Sequence, residues 1–325
     1  MVTTWPKNFQ GLGEGAEYLA NLIDKMSAGR LKIRVFGAGE MVPALQVFDT
    51  VSSGNAQMGH GAAYYWKGKL PASPFFSAVP FGMNAQEMNS WLLKGEGLQL
   101  WESLYAPFNL VPRPCGNTGV QMAGWFNKEI KSVADLKGLK MRIPGLGGEV
   151  LKRAGGVPVL LPGSEVFTSL ERGALDAAEW VGPYNDLAFG FYKAAKYYYY
   201  PGWHEPGSTM EAIINKEALN QLPDDLQQIV LDACLIANQD MLCEYTQKNF
   251  SALQTLQQKH HVQLKKLPDD VLNHLKVLSV DVVKESVSGN AEGEKIYASY
   301  MAFLENVKQW TKLSEKSFLE NRTSI

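Results

Sequence analysis

Two glutamates stand apart from the other acids of this chain. Glu179 lies in AAEWVGP and Glu205 in PGWHEPG, each beside a tryptophan, each followed closely by proline, in segments poor in other charge. A carboxylate in an aromatic, low-dielectric surround is costly unless a cation compensates it. Two such carboxylates invite a bound metal ion, and for a hard cation the remaining donors should be amide and backbone oxygens. Gln121, in GNTGVQMAGW, offers a neutral one. The competing reading gives Glu179 and Glu205 separate salt bridges. Arg142, in LKMRIPG, falls at a strand end before a Pro-Gly turn, where α/β folds place ligand contacts. Its planar fork suits a carboxylate, though a surface acid would satisfy it equally.

Enzyme signatures are missing from the sequence. No P-loop, HExxH, CxxC or GxSxG occurs, and GLGGEV (145–150) lacks dinucleotide-fingerprint spacing. None of the five histidines (His60, His204, His260, His261, His274) has an obvious nucleophile near it in sequence. A metal with a 2-oxo acid would also describe a lyase, for which His204 is the nearest candidate acid or base.

The elements that must position these residues follow an α/β order. Helical spacing over Gly13–Ala28, a strand LKIRVF (31–36), a helix over Pro43–Ser53 and the buried stretch AQMGHGAAYYW form one unit. VQMAGWF (120–126), SVADLKG (132–138), LKMRI (139–143), VPVLL (157–161) and SEVFTSLERG (164–173) repeat the style and deliver the chain into DAAEWVGP. From Asp224 to about His260 no Gly or Pro occurs, and Leu226, Ile229, Val230, Ala233, Ala237 and Met241 recur at helical spacing. Such a helix is about 54 Å long, more than one small domain needs, so it should cross between domains or reach another subunit. Beyond Asp269 the chain is again helical, with Tyr297, Tyr300, Phe303, Leu304 and Trp310 forming an aromatic face for a partner copy. The run YKAAKYYYYPGW (192–203) reads as packing surface with one ring toward a cleft.

The 325 residues suffice for two domains without staples, and a net charge of −2 provides no field to hold nucleic acid or an anionic membrane. Cys115, Cys234 and Cys243 lack metal-ligand spacing, and their odd number leaves the compartment open. Cys234 and Cys243 should face opposite sides of the long helix. No apolar run is long enough for a membrane span, and MVTTWPKNF shows no export signal. A buried-strand opening so close to the start leaves room for a targeting segment removed ahead of it.

Taken together, TTWPKNFQGLGEGAE, GRLKIRVFGAGEMVPALQVFDTVSSGNAQMGHGAAYYWKGK, PFGMNAQEM, GNTGVQMAGWF, GLKMRIPGLGGEVL, LDAAEWVGPYND and YYYYPGWHEPGS closely resemble one family. It is the extracytoplasmic solute-binding protein of tripartite ATP-independent periplasmic (TRAP) transporters, nearest the branch that binds 2-oxo or 2-hydroxy monocarboxylates such as pyruvate and lactate. The resemblance implies an α/β, two-domain periplasmic-binding-protein-like fold with mainly parallel sheets, a long interdomain helix and C-terminal helices. Residues 1–120 and 207–247 would form domain I, 121–206 and 248–280 domain II, and 281–325 a C-terminal helical region for dimerisation. It further implies a periplasmic, non-enzymatic receptor that is a homodimer and delivers its ligand to membrane permease subunits.

In that branch a cleft metal, Ca²⁺ or Na⁺, bridges protein and ligand, and the matching positions are Gln121, Glu179, the Trp180 carbonyl and Glu205. Arg142 would grip the substrate carboxylate, and Tyr64, preferred over Tyr65, would contact the ligand. Other branches place a polar side chain after the tryptophan instead of a metal, whereas this chain has Val181-Gly182-Pro183. A chemosensory module on the same fold would carry the same residues.

Overall fold

The computed structural model describes residues 1–322, so the last three positions of the expected C-terminal region lie outside the described residues. Strand β1 (Val2–Thr3), helices α1 (Leu12–Met26) and α2 (Val47–Ser52) and strand β2 (Met58–Gly61) open the first lobe. Helices α3 (Ala85–Lys94) and α4 (Gly97–Tyr105) follow, and β3 (Leu110–Asn117) leads out of it. In the second lobe come β4 (Gly124–Phe126), β5 (Lys140–Arg142), α5 (Gly145–Arg153), β6 (Val157–Val159) and α6 (Gly163–Glu171). The lobe continues with β7 (Ala177–Ala178), α7 (Pro183–Phe189) and β8 (Tyr197–Tyr200). Strand β9 (Thr209–Asn215) returns to the first lobe, followed by α8 (Lys216–Asn220) and α9 (Asp224–Gln258). After β10 (Gln263–Lys266) and α10 (Asp269–Glu285), the described chain ends in α11 (Ala291–Thr311), a π-helical turn over Lys312–Lys316 and α12 (Ser317–Asn321).

Two sheets result, ordered β1-β2-β9-β3 and β10-β8-β4-β7-β5-β6. The pairs β1·β2, β5·β6, β5·β7 and β8·β10 are parallel. Every antiparallel pair involves β4 or β9, the two strands that enter a sheet from the opposite lobe. Their direction is set by two crossover segments, 118–123 and 201–208, that run antiparallel beside each other. Thr118 N–H donates to the Ser208 carbonyl at 3.1 Å, Gln121 N–H to Glu205 at 3.1 Å, and Gly202 N–H to Gln121 at 2.9 Å. A Cβ at Gly202 would stand 2.2 Å from the Gln121 carbonyl oxygen, so only glycine lets the two segments approach this closely.

Several elements are shorter than the residue pattern suggests. LKIRVF is extended, but only Phe36 pairs, by a parallel bridge to Val2, because β1 is too short to give residues 31–33 a partner. Pairing within 120–126 begins at Gly124, since the earlier residues belong to the crossover. SVADLKG makes a 3₁₀ turn over Val133–Leu136, closed by a capping box between Ser132 and Asp135.

Helix α9 spans 35 residues and does bridge both lobes. Val230, Ala233, Cys234 and Ala237 pack with α1 and β3 side chains, whereas Met241, Tyr245, Ala252 and Leu256 join Trp125, Leu170 and Tyr198 of the second lobe. Cys234 is buried and Cys243 exposed, as their spacing requires. The aromatic face of α11 is used within the chain rather than left for a partner. Tyr300 is fully buried against Phe75 and Trp91, its hydroxyl accepting the Met83 N–H at 2.9 Å, and Tyr297, Phe303 and Leu304 pack beside it. Thus α11 completes the first lobe's core, where the sequence set 281–325 apart. Trp310 alone of that face stays exposed, at 69%.

That core also encloses an acid. The Glu211 carboxylate, on β9, accepts hydrogen bonds from the Trp66 indole and from the Tyr105 hydroxyl at 2.9 Å, and burial raises its pKa from 4.5 to about 7. Folding therefore takes up a proton between these values: the stability Glu211 permits is complete below 4.5 and is lost as pH rises toward 7. Glu211→Gln keeps an acceptor for Trp66 and removes the ionisation. Denaturant unfolding at pH 8 should show the variant about 1–3 kcal/mol more stable than its parent, with a flatter pH dependence; parallel pH profiles would show that Glu211 does not titrate as described.

Candidate functional site

Five segments converge where the lobes meet. Strand β5 ends on Arg142, and after Ile143-Pro144 helix α5 begins at Gly145, whose φ of +62° and closeness to the Tyr64 Cβ, 3.2 Å from a Cβ placed there, favour glycine. Strand β7 ends at Ala178 and releases Glu179 and Trp180 before the Gly-Pro start of α7. Gln121 and Glu205 come from the paired crossovers, and the 3₁₀ turn Ala63–Trp66 brings Tyr64 and Tyr65.

Arg142 is 1% exposed and nearly saturated with acceptors. Its Nε donates to the Leu161 carbonyl at 3.3 Å, Nη1 to the Glu179 carbonyl at 2.9 Å and to Glu179 Oε1, and Nη2 to the Tyr65 hydroxyl at 3.3 Å. The guanidinium lies 4.8 Å from the centre of the Trp180 ring, in cation–π range. Burial opposes its charge, but Glu179 foremost, then the tyrosines and Glu205, hold it protonated beyond its usual range. The second Glu179 oxygen meets His204 Nε2 at 3.1 Å.

Glu205 is treated differently. Its carboxylate accepts the Ser208 hydroxyl but pairs with no cationic side chain among the described residues. Burial first, then the charge of Glu179, push it from 4.5 up to about 7. Separate salt bridges therefore explain Glu179 and not Glu205. Gln121 is buried, with Nε2 donating to Thr118 Oγ1 at 3.1 Å and Ser208 Oγ at 3.2 Å, while its Oε1 has no partner. Among the described residues the Trp180 carbonyl accepts no hydrogen bond either.

A buried acceptor left empty costs about 1–3 kcal/mol, and a buried carboxylate without a counter-charge costs more. An amide oxygen, a peptide oxygen and an uncompensated carboxylate form an oxygen donor set that fits a hard cation such as Na⁺ or Ca²⁺. One donor atom each from Glu179, His204 and Glu205 lies within 4.8 Å of the others.

The tyrosine preferred from the sequence is not the one bonded to the arginine. Tyr65 takes that bond, while Tyr64 stands edge-on to it, ring centres 4.8 Å apart, its hydroxyl without a hydrogen bond among the described residues. Tyr64 still lies beside the start of α5, just after Arg142 in the chain, its Cβ 3.2 Å from a Cβ placed on Gly145, and burial and then the Glu205 charge raise its pKa well above the usual value. In the YYYY run, Tyr198 and Tyr199 are buried, and the Tyr198 hydroxyl donates to Asp186 at 2.7 Å, so that ring serves packing and not the cleft. The sequence reading passed over Tyr65 as the hydrogen-bond partner, the Leu161 carbonyl, and the hydroxyls of Thr118 and Ser208. The two hydroxyls were nonetheless signalled by standing three residues from Gln121 and Glu205.

Comparison with known proteins identifies the family. The model of the bacterial extracellular solute-binding protein family 7 matches residues 1–290. A monocarboxylate 2-oxoacid-binding periplasmic protein of Nostoc sp. (strain PCC 7120) is 46% identical over 318 residues, 98% of this chain and 87% of its own length. A TRAP periplasmic solute-binding protein from Pseudoalteromonas atlantica T6c, solved with sodium and pyruvate, is 42% identical with a TM-score of 0.96, covering 99% of this chain and 98% of its own. Another from Colwellia psychrerythraea, solved with calcium and pyruvate, is 41% identical with a TM-score of 0.95, covering 98% of each chain. The chain belongs to the bacterial extracellular solute-binding protein family 7, and it is a solute receptor rather than an enzyme.

Proposed function

We propose that this protein is the periplasmic receptor of a TRAP transporter, binding a 2-oxo or 2-hydroxy monocarboxylate of pyruvate or lactate size and handing it to the membrane permease subunits. The observation that carries the reading is the juxtaposition of a buried arginine with an oxygen donor set whose second acid has no counter-charge. Gln121 Oε1, the Glu179 carboxylate, the Trp180 carbonyl and Glu205 would hold Na⁺ or Ca²⁺. When bound, the cation supplies positive charge and coordination positions for ligand oxygens. Arg142 binds the ligand carboxylate through its charge and the one Nη2 hydrogen left without an acceptor among the described residues, and the Trp180 ring packs 4.8 Å from the guanidinium. Tyr65 steadies the same guanidinium, and Tyr64 lines the space beside Glu205. Acids carrying an oxygen on the second carbon are then preferred over simple fatty acids, because only they offer a second oxygen to the ion.

Thermal unfolding of the chelated protein tests this directly. Pyruvate or lactate at 100 times the dissociation constant should add about 2.7 kcal/mol, a few degrees in the midpoint, with Ca²⁺ or Na⁺ restored and not without. No shift with either acid in the presence of both ions would discard the ligand class. Arg142→Lys keeps the charge but loses the fork, so calorimetry should show ligand affinity weakened about 10- to 100-fold, as expected for losing charge-assisted hydrogen bonds.

The homodimer is proposed on the end of the chain. Beyond the packed part of α11, Trp310, Leu313, Phe318 and Leu319 are all more than half exposed on consecutive helical turns. Exposed side chains of this size are expensive in water, and a second copy of the same helix is the simplest cover. Light scattering should return twice the 36.0 kDa chain mass, and Leu313→Glu with Phe318→Glu should halve it. A monomer mass for the parent would remove the dimer from this reading.

A further inference from the structure

We infer that Ser208 is the positioning residue of the cation site, its hydroxyl aiming the Gln121 amide oxygen and the Glu205 carboxylate toward one point. The inference rests on the reading of Gln121 and Glu205 as cation ligands. Ser208 is fully buried, and a hydroxyl has one hydrogen to give and two lone pairs to receive. The hydrogen goes to Glu205 Oε2, and a lone pair receives Gln121 Nε2 at 3.2 Å. The other Gln121 amide hydrogen goes to Thr118 Oγ1 at 3.1 Å, and the Thr118 hydroxyl hydrogen goes in turn to the Gly119 carbonyl at 3.0 Å.

These assignments leave the amide a single orientation. With both hydroxyl hydrogens already committed, neither Ser208 nor Thr118 can donate to an amide oxygen, so a flipped Gln121 would face two acceptors with its own oxygen. The amide nitrogen must point at the hydroxyls, and Oε1 is left buried and unpartnered on the opposite side. All four residues lie on the crossover segments, whose backbone bond from Thr118 to Ser208 fixes the spacing of the two hydroxyls. An amide bonded at both hydrogens loses its terminal rotation before any ion arrives. The ordering entropy is thereby met in folding instead of in binding.

Ser208→Ala deletes the link to both donors, and Thr118→Val deletes one of the two anchors of Gln121. Calorimetric titration of the full chain, stripped by chelation and exchange into sodium-free buffer, with CaCl₂ and with NaCl provides the test. Ser208→Ala should bind the ion about 10- to 100-fold more weakly, in the range found when residues supporting metal ligands are removed. Thr118→Val should lose less. Pyruvate affinity, measured for each variant at saturating ion, should match the parent, a separation that general damage to the site would not give. The proposal is overturned if Ser208→Ala takes up ions as the parent does, or if pyruvate binding at saturating ion falls as far as ion binding. Should Ser208→Ala not fold, a parent-like ion affinity in Thr118→Val overturns it equally. A parent that takes up neither ion would instead bring down the cation reading itself.

Discussion

The antiparallel pairing of 118–123 with 201–208 is the constraint on which the rest of this structure depends. It joins the two sheets, sets the direction of β4 and β9, and carries Gln121 and Glu205 into register opposite one another. A glycine at 202 is what permits the approach. Because the same hydrogen bonds form the connection between lobes and the scaffold of the oxygen donors, the site cannot be displaced without disturbing the fold. Loops of equal length without this pairing would leave both donors mobile, and the cost of ordering them would fall on each binding event.

In the proposed site, charge decides what is admitted. Arg142 and Glu179 neutralise one another as a buried pair, a state tolerated because the Leu161 and Glu179 carbonyls, Tyr65 and His204 satisfy most of the remaining donors and acceptors. An ionised Glu205 then leaves the local sum at −1, which repels an incoming carboxylate. At 4 Å two unit charges interact by about 4 kcal/mol at an effective dielectric constant near 20. A monovalent ion brings the sum to zero and a divalent ion to +1. Counting only the two glutamates makes the divalent ion merely neutralising. With Arg142 included, either ion suffices to lift the repulsion, and the divalent one attracts.

Much of this was legible in the sequence because it is written in short segments. Proline and glycine mark where β5 and β7 stop, and charge-poor, aromatic surroundings mark Glu179 and Glu205 as acids in need of compensation. The bridging role of α9 followed from its length alone. What failed was what depends on distant partners. The aromatic face of α11 looked unpartnered because its socket, Phe75 and Trp91, lies some two hundred residues earlier. The strand over 31–36 had the right alternation but found only a two-residue neighbour. Tyr64 and Tyr65 could not be separated because in a 3₁₀ turn successive side chains point about 120° apart, and no local feature says which direction faces Arg142.

The hydroxyls beside the oxygen donors were signalled by spacing alone, and their role was hidden for a related reason. A serine or threonine near a turn ordinarily bonds its own backbone, and nothing in GNTGVQ or EPGS distinguishes a turn hydroxyl from one that orients a ligand. The difference arises only when two such segments pair, since each hydroxyl then has a receiver on its own segment and a donor from Gln121 to accommodate. In the proposed site, one amide, one peptide carbonyl and two carboxylates on irregular backbone would supply the all-oxygen donors that a hard cation such as Na⁺ or Ca²⁺ takes. In that reading the oxygen donors owe their positions to the fold's connection: two chain crossings held at a separation that backbone hydrogen bonds dictate.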